Sequence, residues 1–391
     1  MKIKVKNTIL YALCVLTASV VFTNCSDWLE AEPIKFSDDD NLNVSVRTDE
    51  YYAALREWKA TPGLPQSFVW FDSWTGKLSG EGSLSGLPDS LTIASNWGQP
   101  KWGLSEGQKA DMEFVQKVKG TKVVVTLFSE NVGVSVPEDP IYNVGNSSDE
   151  AVLRPAIRKY AEALYDLVVE NGYDGYDWDY EPTVGGNSSA YLWRNVVQRR
   201  IFVEELSYWF GRGATEEGRD RDGRKPAKPG LLFMIDGEVG GMWAVNMGKD
   251  WLTYYVDYFV HQAYGSNSIS GTNGLENRVN GTLNAMSDWI DQGIITKEEV
   301  VRRIILCENF ESYAGTGGGI LLQSSYVHKP ESGTHVGVDQ QIGGFGIYRP
   351  GFDFNQGKGD YLGSPEYFFL RQGITNLYRI YNERKNIDNK N

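Results

Sequence analysis

The sequence predicts an α/β chain that closes as a (β/α)8, or TIM, barrel. Strand-like and helix-like runs alternate from about residue 48 onward, the pattern of a parallel sheet with crossover helices. Eight strand candidates can be counted, most of them short apolar runs of the kind parallel strands show when covered on both faces. No Gly-x-Gly-x-x-Gly dinucleotide fingerprint is present, which weighs against the alternative of an open doubly wound sheet.

A short helix is expected around Tyr51 to Trp58, ahead of a first strand at Ser67 to Phe71. Ser90 to Asn96 reads as the second strand, Glu106 to Val118 as a helix, and Lys122 to Phe128 as the third strand, rich in β-branched residues. Ser147-Ser148-Asp149-Glu150 has the form of a capping box. Behind it Leu153, Ile157, Tyr160, Ala161, Leu164 and Val168 recur at helical spacing until Asn171-Gly172 stops the helix. A fourth strand follows at once. Ala190 to Phe210 is a helix with an apolar stripe, and the charged insert Arg212 to Lys228 is expected to be an exposed loop. Leu231 to Asp236 is the fifth strand, and Tyr255 to Tyr264 holds the sixth. Arg278 to Gln292 and Glu298 to Arg303 are helices, and Ile304 to Glu308 is the seventh strand. The Gly315 to Gly319 run lacks the Gly-Lys-Ser/Thr ending of a phosphate cradle and reads as a flexible rim loop. Gly343 to Tyr348 is the eighth strand, and Pro365 to Tyr381 a closing helix.

At 391 residues the chain has room for one large domain or two ordinary ones; the eight-strand pattern uses it as one, residues 48–385. Residues 1–24 read as an export signal: Lys2, Lys4 and Lys6 precede an apolar run from Thr8 to Phe22 that is too short to span a bilayer comfortably. Cys25 stands where a lipoprotein signal is cut and the cysteine acylated, although Phe22-Thr23-Asn24 departs from the usual small residues before it. Plain secretion is the other reading. Residues 25–47, with Asp38-Asp39-Asp40, form a polar tether. The expected location is therefore the cell envelope or outer surface of a Gram-negative bacterium, with Cys25 as the membrane contact.

The formal charge of −13 argues against nucleic acid as a partner and favours neutral ligands. Three cysteines, Cys14, Cys25 and Cys307, give no disulfide framework. His261, His328 and His335 have no metal-ligand spacing, so neither a catalytic metal nor a cofactor is expected. A monomer is expected.

The chemistry concentrates in Tyr173-Asp174-Gly175-Tyr176-Asp177-Trp178-Asp179-Tyr180-Glu181-Pro182. On a strand, side chains alternate between faces. Asp177, Asp179 and Glu181 then share one face, with Glu181 last, while Tyr176, Trp178 and Tyr180 share the other, under helices. Asp174 falls at the strand entrance, where hydrogen bonds inside the fold would hold it. Clustered carboxylates cannot all ionise comfortably, so at least one pKa must rise. A protonated carboxyl at a strand's open end is suited to general acid catalysis. The bland alternative is a solvated acidic edge or a metal-free polar cluster.

The spacing Asp-x-x-Asp-x-Asp-x-Glu resembles the signature of glycoside hydrolase family 18, the chitinases and endo-β-N-acetylglucosaminidases. Asp174, Asp177, Asp179 and Glu181 occupy its four positions. The resemblance implies a TIM barrel with this motif on strand four, and substrate-assisted catalysis. It also implies that Glu181 is the acid and base, that Asp179 orients the substrate's 2-acetamido group, that Asp177 tunes Asp179, and that Asp174 is structural. A family tyrosine on strand six, matched by Tyr264, would hold the acetamide carbonyl. Gln262-Ala263-Tyr264-Gly265 is more similar to the bacterial endo-β-N-acetylglucosaminidases than to the chitinases' Met-x-Tyr-Asp. Gln262 is thus a candidate substrate contact, a barrel-interior amide being equally in keeping with its position. Tyr348 stands where chitinases place a stacking tryptophan, and Thr126-Leu127-Phe128-Ser129 replaces the family's Ser-x-Gly-Gly; both departures bear on subsite shape. Trp97 and Asp236 are further candidate substrate contacts, and Trp74 and Trp243 could line a sugar groove, though core packing is the commoner fate of such residues. The expected activity is retaining hydrolysis of a β-1,4 bond at N-acetylglucosamine, in the chitobiose core of N-glycans first and in chitin second. A surface glycan-binding protein without catalysis is the rival of another class.

Overall fold

The computed structural model describes residues 47–128, 136–181, 193, 195–237, 239, 254–355 and 366–388. The leader, Cys14, Cys25 and nearly all of the tether, with Ser129, Pro182 and Trp243, lie outside the described residues.

Ten strands are present among the described residues: β1 (Gln66–Phe71), β2 (Ile93–Asn96), β3 (Lys122–Phe128), β4 (Gly175–Tyr180), β5 (Leu232–Gly237), β6 (Tyr258–Gln262), β7 (Ile304–Asn309), β8 (Val327–His328), β9 (Gln340–Gln341) and β10 (Gly344–Tyr348). Eight of them close a barrel in the order β1-β10-β7-β6-β5-β4-β3-β2, while β8 and β9 form a separate short antiparallel pair. Every barrel pairing is parallel. All eight expected barrel strands are found.

Alternation along the strands divides the apolar residues into two cores. Phe68, Trp70, Ile93, Val124, Met234, Val260, Ile305 and Cys307 fill the lumen. The opposite faces pack under helices, and the motif's aromatics belong to that outer layer. Trp178 meets Phe202 edge to face at 5.2 Å, and Tyr176 lies 5.8 Å from Phe210. Burying such rings contributes about 1.5–3 kcal/mol each, and with them outside only the carboxylates of β4 can point inward.

Several boundaries differ from expectation. Helix 150–170 is capped by Asp149, whose carboxylate accepts from the Ala151 amide at 2.9 Å. Ser147 instead accepts from the Asp149 amide at 3.1 Å, so no capping box forms with it. The helix of Glu106 to Val118 relaxes into a π-helical turn at Val115–Lys119 before β3. The helix expected over 190–210 is Val196–Leu206, and the one over 278–292 starts at Leu275 and breaks at Met286.

One expectation is refined and another corrected. The insert 212–228 is largely exposed, as expected, yet it does not hang free. The Arg219 guanidinium lies 3.7 Å from the Tyr208 ring centroid and 4.4 Å from that of Tyr255. Arg224 pairs with the fully buried Glu205, which Arg154 also reaches at 3.2 Å. Nor is the glycine run a loose rim loop. A Cβ on Gly318 would stand 2.7 Å from Glu308 Oε2, and one on Gly319 2.3 Å from the Ser266 carbonyl oxygen. Among the described residues no helix is long and apolar enough to cross a membrane.

Candidate active site

The carboxyl ends of the strands carry the site, as they do in barrels generally. Asp177 and Asp179 are 0% and 2% exposed and point into the lumen. Trp70 Nε1 from β1 and Thr126 Oγ1 from β3 both donate to Asp177 Oδ2, at 3.0 and 2.8 Å. Ser95 on β2 continues the row through its hydroxyl contact with Thr126. Asp236 on β5 is the register partner of Asp179, so the two carboxyls leave the sheet on the same side.

Burial pushes the Asp177 carboxyl up to about 6, against the pull of the Thr126, Asp236 and Trp70 hydrogen bonds. Asp236 is driven well above the ordinary carboxylate range, first by burial and then by the charges of Asp177 and Asp179. Asp177 Oδ1 and Asp236 Oδ2 are buried without a donor among the described residues. The two carboxyls influence each other closely enough that a hydrogen bond between them forms only when one of them holds a proton. The pair therefore keeps one proton, as clustered buried acids must.

Glu181 lies one residue beyond the end of β4 and is half-buried. The side-chain amide of Gln262, the last residue of β6, donates to Glu181 Oε1. Tyr264 follows two residues past β6, in the turn rather than on the strand. Burial lifts its hydroxyl pKa, with further contributions from Cys307, Asp236, Asp179 and Glu181, so this side chain faces the acidic row. Its ring stacks on Tyr348 at 6.1 Å, and Trp97 meets Tyr348 edge-on at 4.8 Å. Together with Trp70, 6.3 Å from Tyr348, these rings make an aromatic floor beside the carboxylates.

The remaining expected residues fall elsewhere. Asp174 sits at the opposite end of β4, accepting from the Val123 amide and Gln116 Nε2 at 2.9 Å each, which splices the starts of β3 and β4. Trp74 is core: it is 3% exposed and its indole donates to Asp111 at 2.8 Å. His261 is buried outside the lumen with Thr282, where burial depresses it to about 3. Among the described residues no group of three or more His, Cys, Asp and Glu could hold a metal.

Sequence reasoning missed Lys101. It follows β2 and donates to the Asn96 carbonyl at 2.8 Å, and burial brings its ammonium down to about 8 while Asp179 and Asp177 oppose that shift. Its loop is held by Tyr173, which donates to the Lys101 carbonyl at 2.9 Å. Nothing local in Gln99-Pro100-Lys101-Trp102 announces this; the signal is the fold.

A barrel whose open end gathers buried acids, a carboxyl at a strand terminus and an aromatic floor defines a sugar-cleaving hydrolase of the (β/α)8 class. The family described as "Glycoside hydrolase family 18, BT1044-like" matches residues 29–375. The chain belongs to glycoside hydrolase family 18 and is a glycoside hydrolase. Solved structures agree on the fold. One, of a selenomethionine BT1044 with a Glu→Gln substitution, is 23% identical, with a TM-score of 0.59 over 90% of this chain and 98% of that one. Another is an endo-β-N-acetylglucosaminidase variant from Cordyceps militaris in complex with fucosyl-N-acetylglucosamine-Asn, 15% identical, TM-score 0.53, covering 85% of this chain and 97% of that one. The apo form of that enzyme is 16% identical with the same TM-score and coverage. No curated protein matches the chain.

Proposed function

We propose that the protein is a retaining, substrate-assisted endo-β-N-acetylglucosaminidase that cuts the chitobiose core of N-glycans. The observation that carries this is the convergence of Glu181, Gln262, Tyr264 and the Asp177–Asp179–Asp236 group at one barrel mouth.

In this reading Glu181 gives its proton to the glycosidic oxygen as the bond to the anomeric carbon breaks. The substrate's acetamide oxygen attacks that carbon from the opposite face and closes an oxazolinium ring. Asp179 accepts the acetamide N–H and balances the ring's positive charge. Tyr264 holds the acetamide carbonyl, and the Tyr348–Trp97 floor stacks on the sugar. Glu181 then takes a proton from water as it adds to the anomeric carbon, restoring the original configuration. The protonated Asp177–Asp236 pair limits the negative charge beneath Asp179 and leaves that carboxylate the one to meet the developing cation.

The preference for N-glycans over chitin rests on Gln262-Ala263-Tyr264-Gly265 and agrees with the activity named for the Cordyceps militaris relative. Incubation with an N-glycoprotein and with chitin oligomers, followed by product masses, tests it. Released glycans ending in one N-acetylglucosamine support the reading. Diacetylchitobiose from chitin with intact glycoprotein would replace it by a chitinase, and no cleavage of either by a glycan-binding role. Export and a lipid anchor at Cys25 belong to the same proposal; a Cys25→Ser chain that still partitions with membranes would refute the anchor.

A further inference from the structure

We propose that Glu308 is a positioning residue that sets the place of Tyr264, and that the glycine run 317–319 exists to let it do so. The inference deepens the functional reading above and rests on Tyr264 acting in that site.

Glu308 is on β7 but faces away from the lumen. Its neighbours Ile305 and Cys307 line the barrel interior, while Leu306 belongs to the outer core. It is fully buried and cannot touch a sugar in the mouth. Its two oxygens accept four hydrogen bonds. Oε1 takes the amides of Gly265 and Asn309, both at 2.8 Å. Oε2 takes the Gly319 amide at 2.7 Å and Gln323 Nε2 at 3.3 Å. Gln323 Nε2 also donates to the Ala263 carbonyl at 3.0 Å. The backbone is thus gripped on both sides of Tyr264: the carbonyl before it by Gln323, the amide after it by Glu308.

The glycines fit this purpose. Gly265 has φ +65, and a Cβ there would stand 2.7 Å from the Tyr313 hydroxyl. The approach of Gly318 and Gly319 to Glu308 and Ser266 leaves no room for side chains either. A carboxylate is the group for the centre, because only it offers four acceptor sites and no donor. An amide would present an N–H pair to two of the four N–H groups. Tyr264 leaves β6 after Gln262 and has no strand partner of its own, so its placement depends on these loop contacts.

The test is a double-mutant cycle in the full-length protein between Glu308→Gln and Tyr264→Phe, reading kcat and KM on the glycan that wild type cleaves. Tyr264→Phe is expected to lower kcat by roughly 10²-fold, the scale of a lost transition-state donor. Glu308→Gln alone is expected to lower kcat by roughly 10–10²-fold, the cost of about an ångström of misplacement, with KM changed far less. In the Tyr264→Phe background the same substitution should cost no more than about threefold, because the group it positions is gone. Losses that multiply in the double variant would overturn the positioning role while leaving the functional reading intact. A Tyr264→Phe enzyme with wild-type kcat would overturn both. Gln323→Ala, which keeps the carboxylate, serves as a second entry to the cycle should Glu308→Gln not fold. It is expected to show a smaller kcat loss with the same lack of additivity, and a full-strength loss on the Tyr264→Phe background would again refute the proposal.

Discussion

Gln262 donates its side-chain amide to Glu181 although their strands are not neighbours: β5 runs between β4 and β6. The contact spans the barrel mouth above Asp236. It holds the carboxyl that the proposed chemistry needs at one position before substrate arrives. Gln262→Ala is expected to lower kcat about tenfold and to leave thermal stability nearly unchanged, since it removes one hydrogen bond at a half-buried site. Steady-state kinetics beside a melting curve check this. Unchanged kcat would show that Glu181 needs no such support.

Asp179→Asn is expected to slow the first chemical step by at least 10²-fold, because the amide offers no charge to the oxazolinium. The anomer formed first by the wild-type enzyme, read by NMR before mutarotation, should be β. An α product would rule out participation by the acetamide.

The Asp177–Asp236 pair makes a claim about stability. Both carboxyls are raised in the folded protein, chiefly by burial, Asp177 to about 6. Above the ordinary carboxylate range the unfolded chain has released protons that the native state still holds. Native protein then binds more protons than unfolded, so this pair's contribution to stability falls as pH rises above about 4, Asp177's share until about 6 and Asp236's share further still. Asp236→Asn removes one of the two groups and should flatten that slope. Denaturant midpoints at pH 4, 5, 6 and 7 for both proteins measure it, and parallel curves would contradict the shared proton.

Glu205 tests whether the insert is truly anchored. It is fully buried and pairs with Arg224, whose side chain is 3% exposed, and with Arg154. Removing one partner of a buried ion pair strands the other, at a cost of about 3–5 kcal/mol. Glu205→Ala should therefore lower stability by that order and open residues 212–228 to limited proteolysis. A loss below about 1 kcal/mol with an uncut insert would mean that the ring contacts of Arg219 and Arg224 hold it alone.

These cases show why the barrel was easier to read than its mouth. Strands β3, β5 and β7 are near-continuous apolar runs, and the alternation Asp177, Trp178, Asp179, Tyr180 states its own facing, so both follow from local periodicity. Asp174 was legible as an anchor because it breaks that alternation. The exposure of the Arg-rich insert follows from its charge, but its anchoring does not, since its partner Glu205 and the Tyr208 ring lie on a helix and turn brought near only by the fold. The glycine run misled: small residues mean flexibility only where nothing approaches them, and here Glu308 does. Glu308 accepts from the amides of Gly265 and Gly319, and Lys101 comes near Asp177 and Asp179 only through closure of the barrel, and no spacing in the chain encodes those meetings.

Glu181→Gln addresses the central claim most directly. With the glycan that wild type cleaves, turnover should fall by roughly 10²–10⁴-fold, the contribution of a general acid–base group, while calorimetric binding of the same glycan persists. Cleavage at the wild-type rate would remove Glu181 from the chemistry and the account with it.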